Sequence, residues 1–251
     1  MAIPLPSHRR LPFAVFLALL CAVTLGQPAR ADDAAIRKNI ADRMPDFPKI
    51  DEISKTPIPG LYELRVGSDI FYADEQGNHL IEGQMLETKT RTNLTEARVA
   101  KLTAIDFSAL PLKDAIVWKQ GTGARKLAVF ADPNCTYCKR FERELQQVKN
   151  VTVYTFVIPI LGGDSPEKAR NIWCAKDNTK AWRDWMLEGA PPARSIGQCD
   201  VAALSRNLAL SRKHRVNGTP ALVFEDGQRV PGALNGEQLE KRFAGLTRKA
   251  G

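Results

Sequence analysis

The alternation of hydrophobic and polar residues predicts three short strands in the first part of the chain. Apolar residues alternate with charged ones over residues 61–66, as in a strand with one buried face. Turn-forming residues then separate two further strand-like segments, residues 69–73 and 79–86. Together with a short helix at residues 32–43, these strands predict a small α+β domain that spans residues 32–92.

A second set of apolar segments predicts a larger α/β domain over residues 111–251. Residues 127–130 and 151–161 are almost continuously apolar, as in strands that are buried on both faces. Helical spacing between and after these segments predicts several helices. The pair Asp226-Gly227 signals a hairpin, which gives the predicted sheet an antiparallel edge.

Residues 93–110 are predicted to form a linker helix between the two domains. Helix-capping residues open this segment, and apolar residues follow at near-helical spacing over residues 95–107. The domain before the linker is small for an independent core and would gain stability from pairing with a second copy. We therefore expect residues 32–92 to form a dimerisation domain, although packing on the second domain of the same chain would also complete the core.

The first 31 residues have the features of a cleavable signal peptide. Arg9 and Arg10 precede an apolar run from Leu11 to Leu25, and Ala29-Arg30-Ala31 forms an A-x-A cleavage site. The apolar run is too short for a membrane span, and no later stretch approaches the required length. We expect an exported mature chain that begins at Asp32 and is not embedded in the membrane.

Composition and charge argue against nucleic-acid binding. The chain has 251 residues, of which 44% are hydrophobic and 25% charged, and these values are ordinary for a globular protein. Loss of the three signal-peptide arginines lowers the formal net charge from +8 to +5. The remaining charges are mixed, as in Glu142-Arg143-Glu144. A nucleic-acid site needs a clustered basic face with interleaved aromatic residues, and the sequence has none.

The number of cysteines predicts pairing in the mature chain. Cys21 would leave with the signal peptide, and four cysteines remain. An even number in an oxidising compartment indicates disulfides, and four cysteines allow three connectivities. Short spacing favours Cys135 with Cys138, which leaves Cys174 with Cys199. We expect the second pair to be a structural disulfide, because it lacks the short spacing of redox pairs.

The motif Cys135-Thr136-Tyr137-Cys138 directly follows a predicted buried strand and begins a predicted helix. Backbone N–H groups and the helix dipole stabilise an anion there, and the thiolate is the reactive form of cysteine. A zinc site would need a second close pair of Cys or His ligands. A static disulfide would close too small a loop to stabilise the fold much. The motif therefore predicts a redox-active dithiol in which Cys135 is the nucleophile.

The segment Gly218-Thr219-Pro220 precedes a predicted strand at residues 221–224. One interpretation is an ordinary turn. The other is a cis-proline that faces the dithiol, because cis bonds occur almost solely before proline and proline cannot donate to a strand ladder. Such a loop would leave nearby backbone groups available to an extended substrate, so Thr219 and Pro220 are candidate substrate-docking residues.

These motifs resemble those of the DsbC/DsbG family of periplasmic disulfide isomerases, whose catalytic domain has a thioredoxin fold with a helical insertion. The matching segments, spread over both predicted domains, are Asp74-Glu75-Gln76-Gly77-Asn78-His79-Leu80-Ile81-Glu82-Gly83, Cys135-Thr136-Tyr137-Cys138, Ile172-Trp173-Cys174-Ala175-Lys176-Asp177 and Gly218-Thr219-Pro220-Ala221. The pair Cys174 and Cys199 favours the DsbC side, because DsbG typically lacks a second disulfide. Thr136 departs from the family pattern, which usually has Gly at that position and Pro in DsbG.

The resemblance implies a V-shaped homodimer in the periplasm that rearranges incorrect disulfides in misfolded exported proteins. It implies isomerase and reductase chemistry at Cys135 and Cys138, without a cofactor or metal. It also implies a DsbD-like membrane electron donor that keeps the dithiol reduced. Two alternatives stay open: a dithiol oxidase, and a DsbG-like chaperone or reductase that protects single thiols.

Overall fold

The computed structural model describes residues 29–249, with side chains over residues 33–246. Nearly all of the predicted signal peptide therefore lies outside the described residues. The chain divides into two compact units. The first contains the described residues up to Leu64 together with Tyr72–Ile81, and the second contains Arg65–Phe71 together with the residues from Glu82 onward.

One helix and a four-stranded sheet come first along the chain. These elements are α1 (Ala29–Arg43), β1 (Glu52–Lys55), β2 (Leu61–Val66), β3 (Asp69–Asp74) and β4 (Leu80–Ile81). The strands lie in the order β1-β2-β3-β4. Ile36 and Ile40 of α1 and Leu64 of β2 are buried, so the predicted α+β character of this region is confirmed. The strand β1 falls in a segment whose turn-forming residues did not predict it.

The predicted strand at residues 79–86 is wrong as a single element. Only Leu80–Ile81 pairs with β3, and Leu86–Glu87 forms a separate strand, β5, that pairs with β6 (Thr92–Asn93). Between the two short strands, Glu82, Gly83 and Gln84 are exposed and leave the strand conformation. Because strand pairing depends on partners elsewhere in the chain, the local pattern did not show this break.

The helix predicted at residues 95–107 is shorter in the structure. Helix α2 covers Leu94–Leu102, and its N-cap residue is Asn93, whose side chain accepts the Glu96 backbone N–H at 3.0 Å. Beyond the helix, the Ile105 N–H donates to the Gly227 carbonyl at 2.8 Å. This bond ties the chain to the hairpin turn and takes it away from the helical path.

The remaining elements form a five-stranded sheet with helices on both sides. The strands are β7 (Ile116–Gln120), β8 (Arg125–Ala131), β9 (Val151–Val157), β10 (Ala221–Phe224) and β11 (Arg229–Pro231). The helices are α3 (Thr136–Leu145), α4 (Ser165–Trp173), α5 (Asn178–Arg183), α6 (Ala202–Lys213) and α7 (Gly236–Lys249), and α5 continues into a π-helical turn at Asp184–Glu188. The strand order is β11-β10-β8-β9-β7, with β8 and β9 parallel and the other pairs antiparallel.

Strand β8 is buried on both faces, as its apolar run predicts. Leu127 and Val129 belong to the core on one side of the sheet, which includes residues of α3, α4 and α7. Ala128 and Phe130 belong to the core on the other side, where Phe130 stacks on Phe156. The predicted mixed α/β class with an antiparallel edge is thus confirmed. Within the described part of the chain, no helix has the length and apolar character needed to cross a membrane.

Candidate active site

Cys135 is the N-cap residue of α3, at the end of the central strand β8. The turn between them is closed by a hydrogen bond from the Cys135 N–H to the Asp132 carbonyl at 3.1 Å. The Cys135 backbone is extended (φ −74°, ψ 113°), and its Sγ accepts the Cys138 N–H at 3.2 Å. Both cysteines are free thiols, and Cys135 and Cys138 are only 4% and 1% exposed. The sulfur of Cys135 therefore fills the role that an oxygen has in an ordinary helix cap.

The two thiols differ sharply in acidity. A hydrogen bond from the Cys138 thiol is the largest cause that lowers the pKa of Cys135, from 9.0 to about 6, against the opposing effect of burial. The Thr219 side chain and the N–H groups of Cys138 and Tyr137 lower this pKa further. Burial, followed by the neighbouring Cys135, raises the pKa of Cys138 far above its usual range. At neutral pH, Cys135 is mostly thiolate, whereas Cys138 keeps its proton.

The loop that contains Thr219 and Pro220 lies against the dithiol. The peptide bond between these two residues is cis. The Cys135 Sγ is 3.2 Å from the Thr219 carbonyl oxygen, to which the thiol form can donate. The loop reaches this place because β10, which follows it directly, pairs with β8 so that Ala221 lies opposite Phe130. Sheet register thus brings Thr219 to a cysteine 84 residues earlier in the chain.

Asp132 fixes the turn that carries Cys135, a role that the sequence did not show. It is 0% exposed, and Oδ1 accepts the Asn134 N–H at 2.7 Å and the Ser165 hydroxyl. Its Oδ2 accepts the N–H groups of Ile160 and Leu161 at 2.7 and 2.9 Å. One buried carboxylate therefore ties the active-site turn to the segment between β9 and α4.

The helical insertion holds the same turn from another side. Trp185 Nε1 donates to the Pro133 carbonyl at 2.6 Å. The ammonium groups of Lys139 and Lys168 lie 3.7 and 4.5 Å from the centre of the Trp185 ring. Lys168 also donates to the Asn134 side chain at 2.9 Å. Lys139 is thus placed on an aromatic face rather than free in solvent, and burial followed by the neighbouring Lys168 lowers its pKa.

Cys174 and Cys199 form a disulfide with a Cα–Cα distance of 5.9 Å and a sequence separation of 25. It links the end of α4 to the segment before α6. Trp173 reinforces the same link, because its Nε1 donates to the Asp200 carbonyl at 3.0 Å. Closure of a loop of this length stabilises the folded chain by about 3 kcal/mol in the chain-entropy model.

Three of the predicted site residues, Cys135, Cys138 and Thr219, come together in one place. The other pair, Cys174 and Cys199, forms its own disulfide within the helical insertion. Over the described residues, no group of three or more His, Cys, Asp or Glu side chains is placed to hold a metal ion. The chemistry that the site offers is that of its two free thiols, of which Cys135 is the more acidic.

Two family models match the chain. Residues 27–96 match the N-terminal domain of disulfide bond isomerases, and residues 112–246 match a thioredoxin-like domain. The second match covers most of the unit that holds Cys135 and Cys138 and agrees with the predicted thioredoxin-like fold.

Curated relatives and solved structures agree with the family models. The chain is 43% identical over 209 residues to a probable thiol:disulfide interchange protein DsbC of Bordetella pertussis, covering 83% of this chain and 73% of that protein. It is 31% identical over 212 residues to DsbC of Escherichia coli, covering 81% and 84% of the two chains. A disulfide interchange protein of Neisseria gonorrhoeae matches 54% of this chain and 96% of its own, with 40% identity and a TM-score of 0.51. This chain belongs to the DsbC family of thiol:disulfide interchange proteins.

Proposed function

We propose that this chain is a periplasmic thiol:disulfide isomerase and reductase that corrects wrong disulfides in exported proteins. The observation that carries this proposal is the difference in acidity within the dithiol. Cys135 has a pKa of about 6, and the pKa of Cys138 is raised far above its usual range. Such a pair has one thiol ready to attack and a second thiol that stays protonated until it is needed.

The reaction begins with Cys135. Its thiolate attacks one sulfur of a substrate disulfide, forms a Cys135–substrate bond and releases the other substrate sulfur as a thiolate. In isomerisation, a different substrate thiolate attacks the mixed disulfide, forms the new substrate disulfide and regenerates the Cys135 thiolate. In reduction, Cys138 loses its proton and attacks Cys135, so that the substrate leaves reduced and the enzyme is left oxidised.

The surface beside the dithiol supports binding of an unfolded segment. Tyr137 within the motif is 66% exposed, and Ile160 and Leu161, whose N–H groups bond to Asp132, are 38% and 55% exposed. We assign substrate docking to these apolar side chains together with the loop of Thr219 and Pro220. An extended chain would bring both apolar side chains and backbone hydrogen-bonding groups to this surface.

The proposed organisation assigns dimerisation to residues 32–92, the linker to residues 93–110 and catalysis to residues 111–251. Strand β4 is an edge strand of the first sheet, and its residue Ile81 is 49% exposed. Exposed edges and apolar side chains of a small sheet favour pairing with a second copy. Light scattering on the chain from Asp32 onward should give the mass of a homodimer, and a monomer mass would contradict the dimer.

The proposed location follows from the N-terminal sequence. Residues 1–31 would be removed after export, and the periplasm is an oxidising compartment. A dithiol that must stay reduced there needs a continuing source of electrons. A DsbD-like membrane donor would supply them by reopening the Cys135–Cys138 disulfide through dithiol exchange.

The assay that tests the function compares two forms of one substrate protein. We expect the reduced chain to restore activity to a scrambled, fully oxidised substrate faster than an equal concentration of a small dithiol. Acceleration only with a reduced substrate and an oxidised chain would favour the dithiol oxidase. If the chain prevents aggregation or oxidation of single thiols but reactivates neither form, the DsbG-like alternative is favoured.

A further inference from the structure

A cavity of about 310 Å³ opens beside the loop that contains Thr219 and Pro220. The residues that line it are 215–221, Arg229, Pro231 and Gly232. The Gly232 N–H donates to the Pro220 carbonyl at 2.8 Å and so joins the loop to the chain after β11. The Thr219 carbonyl oxygen is 3.2 Å from the Cys135 Sγ, so a segment in this cavity would lie close to the nucleophile. Its volume is at the lower end of the range for ligand pockets.

The charged side chains around this cavity are positive. Arg215 and Arg229 line it, and no Asp or Glu is among the described residues that do so. Arg229 is half-buried, and burial lowers its pKa without an opposing effect from a neighbouring carboxylate. A partly buried charge costs free energy unless an opposite charge accompanies it. The cavity therefore presents an uncompensated positive charge to its occupant.

One nitrogen of the Arg229 guanidinium is held by the protein. Nη1 donates to the His214 carbonyl at 2.5 Å and lies 3.4 Å from the Arg215 carbonyl oxygen. His214 is the C-cap residue of α6, and a cation is favoured at a helix C-terminus. This contact fixes the position of the guanidinium, but it uses only one of its three nitrogens.

The other two nitrogens of Arg229 are accessible to a ligand. Nε and Nη2 have no hydrogen-bond partner among the described residues, and neither is fully enclosed by protein atoms. These two nitrogens form the edge of a guanidinium that binds both oxygens of a carboxylate. The same protein contains such a pair, in which Arg206 Nε and Nη2 donate to the Asp114 carboxylate at 2.7 and 2.6 Å. The accessible edge of Arg229 therefore matches an acidic side chain.

We propose that Arg229 binds the carboxylate of an Asp or Glu side chain in the substrate segment that docks at the loop of Thr219 and Pro220. This site rests on the proposed function and names its class of substrate, which is a disulfide-bonded chain with an acidic residue near the attacked cysteine. Arg215 adds a second positive charge to the same cavity. Arg229 exchanges no electrons or protons, and it holds the segment while Cys135 attacks the disulfide.

Binding at Arg229 differs from general attraction of acidic chains to a basic protein. The formal net charge of the whole chain is +8, so some long-range attraction of anions is expected in any case. Salt screens that attraction, because the Debye length falls to about 3 Å at 1 M. A hydrogen-bonded and partly buried ion pair is screened much less. A preference for acidic substrates that persists in salt is therefore the mark of the site.

Peptides that carry a pyridyl disulfide on a single cysteine test the proposal on the whole chain with its dithiol reduced. Cys135 attacks the peptide sulfur, and the released thiopyridone is followed by its absorbance. The peptides have Glu, Gln or Lys at one position, which is moved stepwise away from the cysteine in both directions. At the best position, we expect the wild type to react about 10-fold faster with the Glu peptide than with the Gln peptide. The Lys peptide should react most slowly.

Three variants assign this preference to the Arg229 side chain. Arg229→Gln should lower the rate with the Glu peptide to the rate with the Gln peptide. Arg229→Lys keeps the charge and a donor for the His214 carbonyl but lacks the planar edge, so it should keep a preference of only about 2-fold. Arg212→Gln is the matched control, because it removes an exposed charge from the last turn of α6 and does not line the cavity. It should leave the 10-fold preference unchanged.

The possible results separate this site from the proposed function. Equal rates of the wild type with all three peptides, or a full preference for Glu in Arg229→Gln, overturn the site. A preference of the wild type that disappears at about 1 M salt also overturns it, since attraction at long range would then explain the result. If Arg229→Gln does not fold, a full preference for Glu in Arg229→Lys overturns the bidentate contact. A wild type that reacts with none of the peptides would instead overturn the proposed function.

Discussion

Replacing Cys135 by alanine should reduce reactivation of a scrambled protein to the rate without enzyme. Cys135 is the sulfur whose pKa lies below neutral, at about 6, and every route of the proposed reaction begins with its attack. Cys138 cannot replace it, because its raised pKa and 1% exposure leave it protonated and shielded from substrate. Recovery of activity of the scrambled substrate, measured over time, gives the rate directly.

The matched variant is Cys138→Ala, which keeps the nucleophile. It should still form mixed disulfides, and these should accumulate because the internal release step is missing. Mass spectrometry after acid quenching would detect them as covalent adducts on Cys135. If Cys135→Ala reactivated the substrate as well as the wild type, the assignment of Cys135 would be wrong.

The pH dependence of the wild type should report the same sulfur. Only the thiolate reacts, so the rate of Cys135 alkylation should rise with pH, reach half of its maximum near pH 6, which is its pKa in the folded chain, and level off about one pH unit higher. An ordinary thiol would continue to gain reactivity for several further pH units, since the usual value is 9.0. Ultraviolet absorbance of the thiolate provides an independent titration, and Cys135→Ala is its blank.

The dithiol could be located from sequence because its chemistry and its local structure lie in the same short segment. A buried strand, a turn and a helix start are all encoded between residues 127 and 145, and the cysteines stand at the junction. The loop of Thr219 and Pro220 beside the dithiol was also predictable, since proline before a core strand has few conformations. The register of β8 and β10, which joins the two segments, depends on pairing that no local pattern contains.

Glu142 shows where the sequence interpretation failed. The run Glu142-Arg143-Glu144 has the composition of a solvated helix surface, and only its first residue is fully buried. Cys138, Phe141 and Leu145 precede and follow Glu142 with the spacing of a single buried stripe. That spacing was a usable signal, but the charge of Glu142 argued against its burial. Its partner Trp182 lies 40 residues away, beyond any local pattern.

Asp132 was missed for a similar reason. In the sequence it is a polar residue between a strand and a proline, which is the ordinary position of a turn residue. Three of its four hydrogen-bond donors belong to residues 160, 161 and 165, which follow β9 along the chain. Only the fold brings these donors around one carboxylate, so its importance for the active-site turn appears only in three dimensions.

Replacing Asp132 by alanine should lower the free energy of unfolding by about 4 kcal/mol, because several hydrogen-bond donors would lose the carboxylate that accepts from them. The carboxylate is 0% exposed, so water cannot readily take its place. Urea unfolding followed by tryptophan fluorescence measures the change, because all four tryptophans lie between residues 118 and 185. The urea midpoint should fall by about 2 M.

Two further variants show whether the carboxylate itself is responsible. Asp132→Asn keeps the shape but turns one acceptor oxygen into a donor, which then faces either the two loop N–H groups or the Asn134 N–H and the Ser165 hydroxyl. Asp132→Asn should therefore still lower the free energy of unfolding by about 2 kcal/mol, although the volume of the side chain is unchanged. Asp42→Ala removes an exposed carboxylate paired with Lys38 and should change stability by less than about 0.5 kcal/mol. Wild-type stability in Asp132→Asn would show that shape, and not the four accepted hydrogen bonds, holds the active-site turn in place.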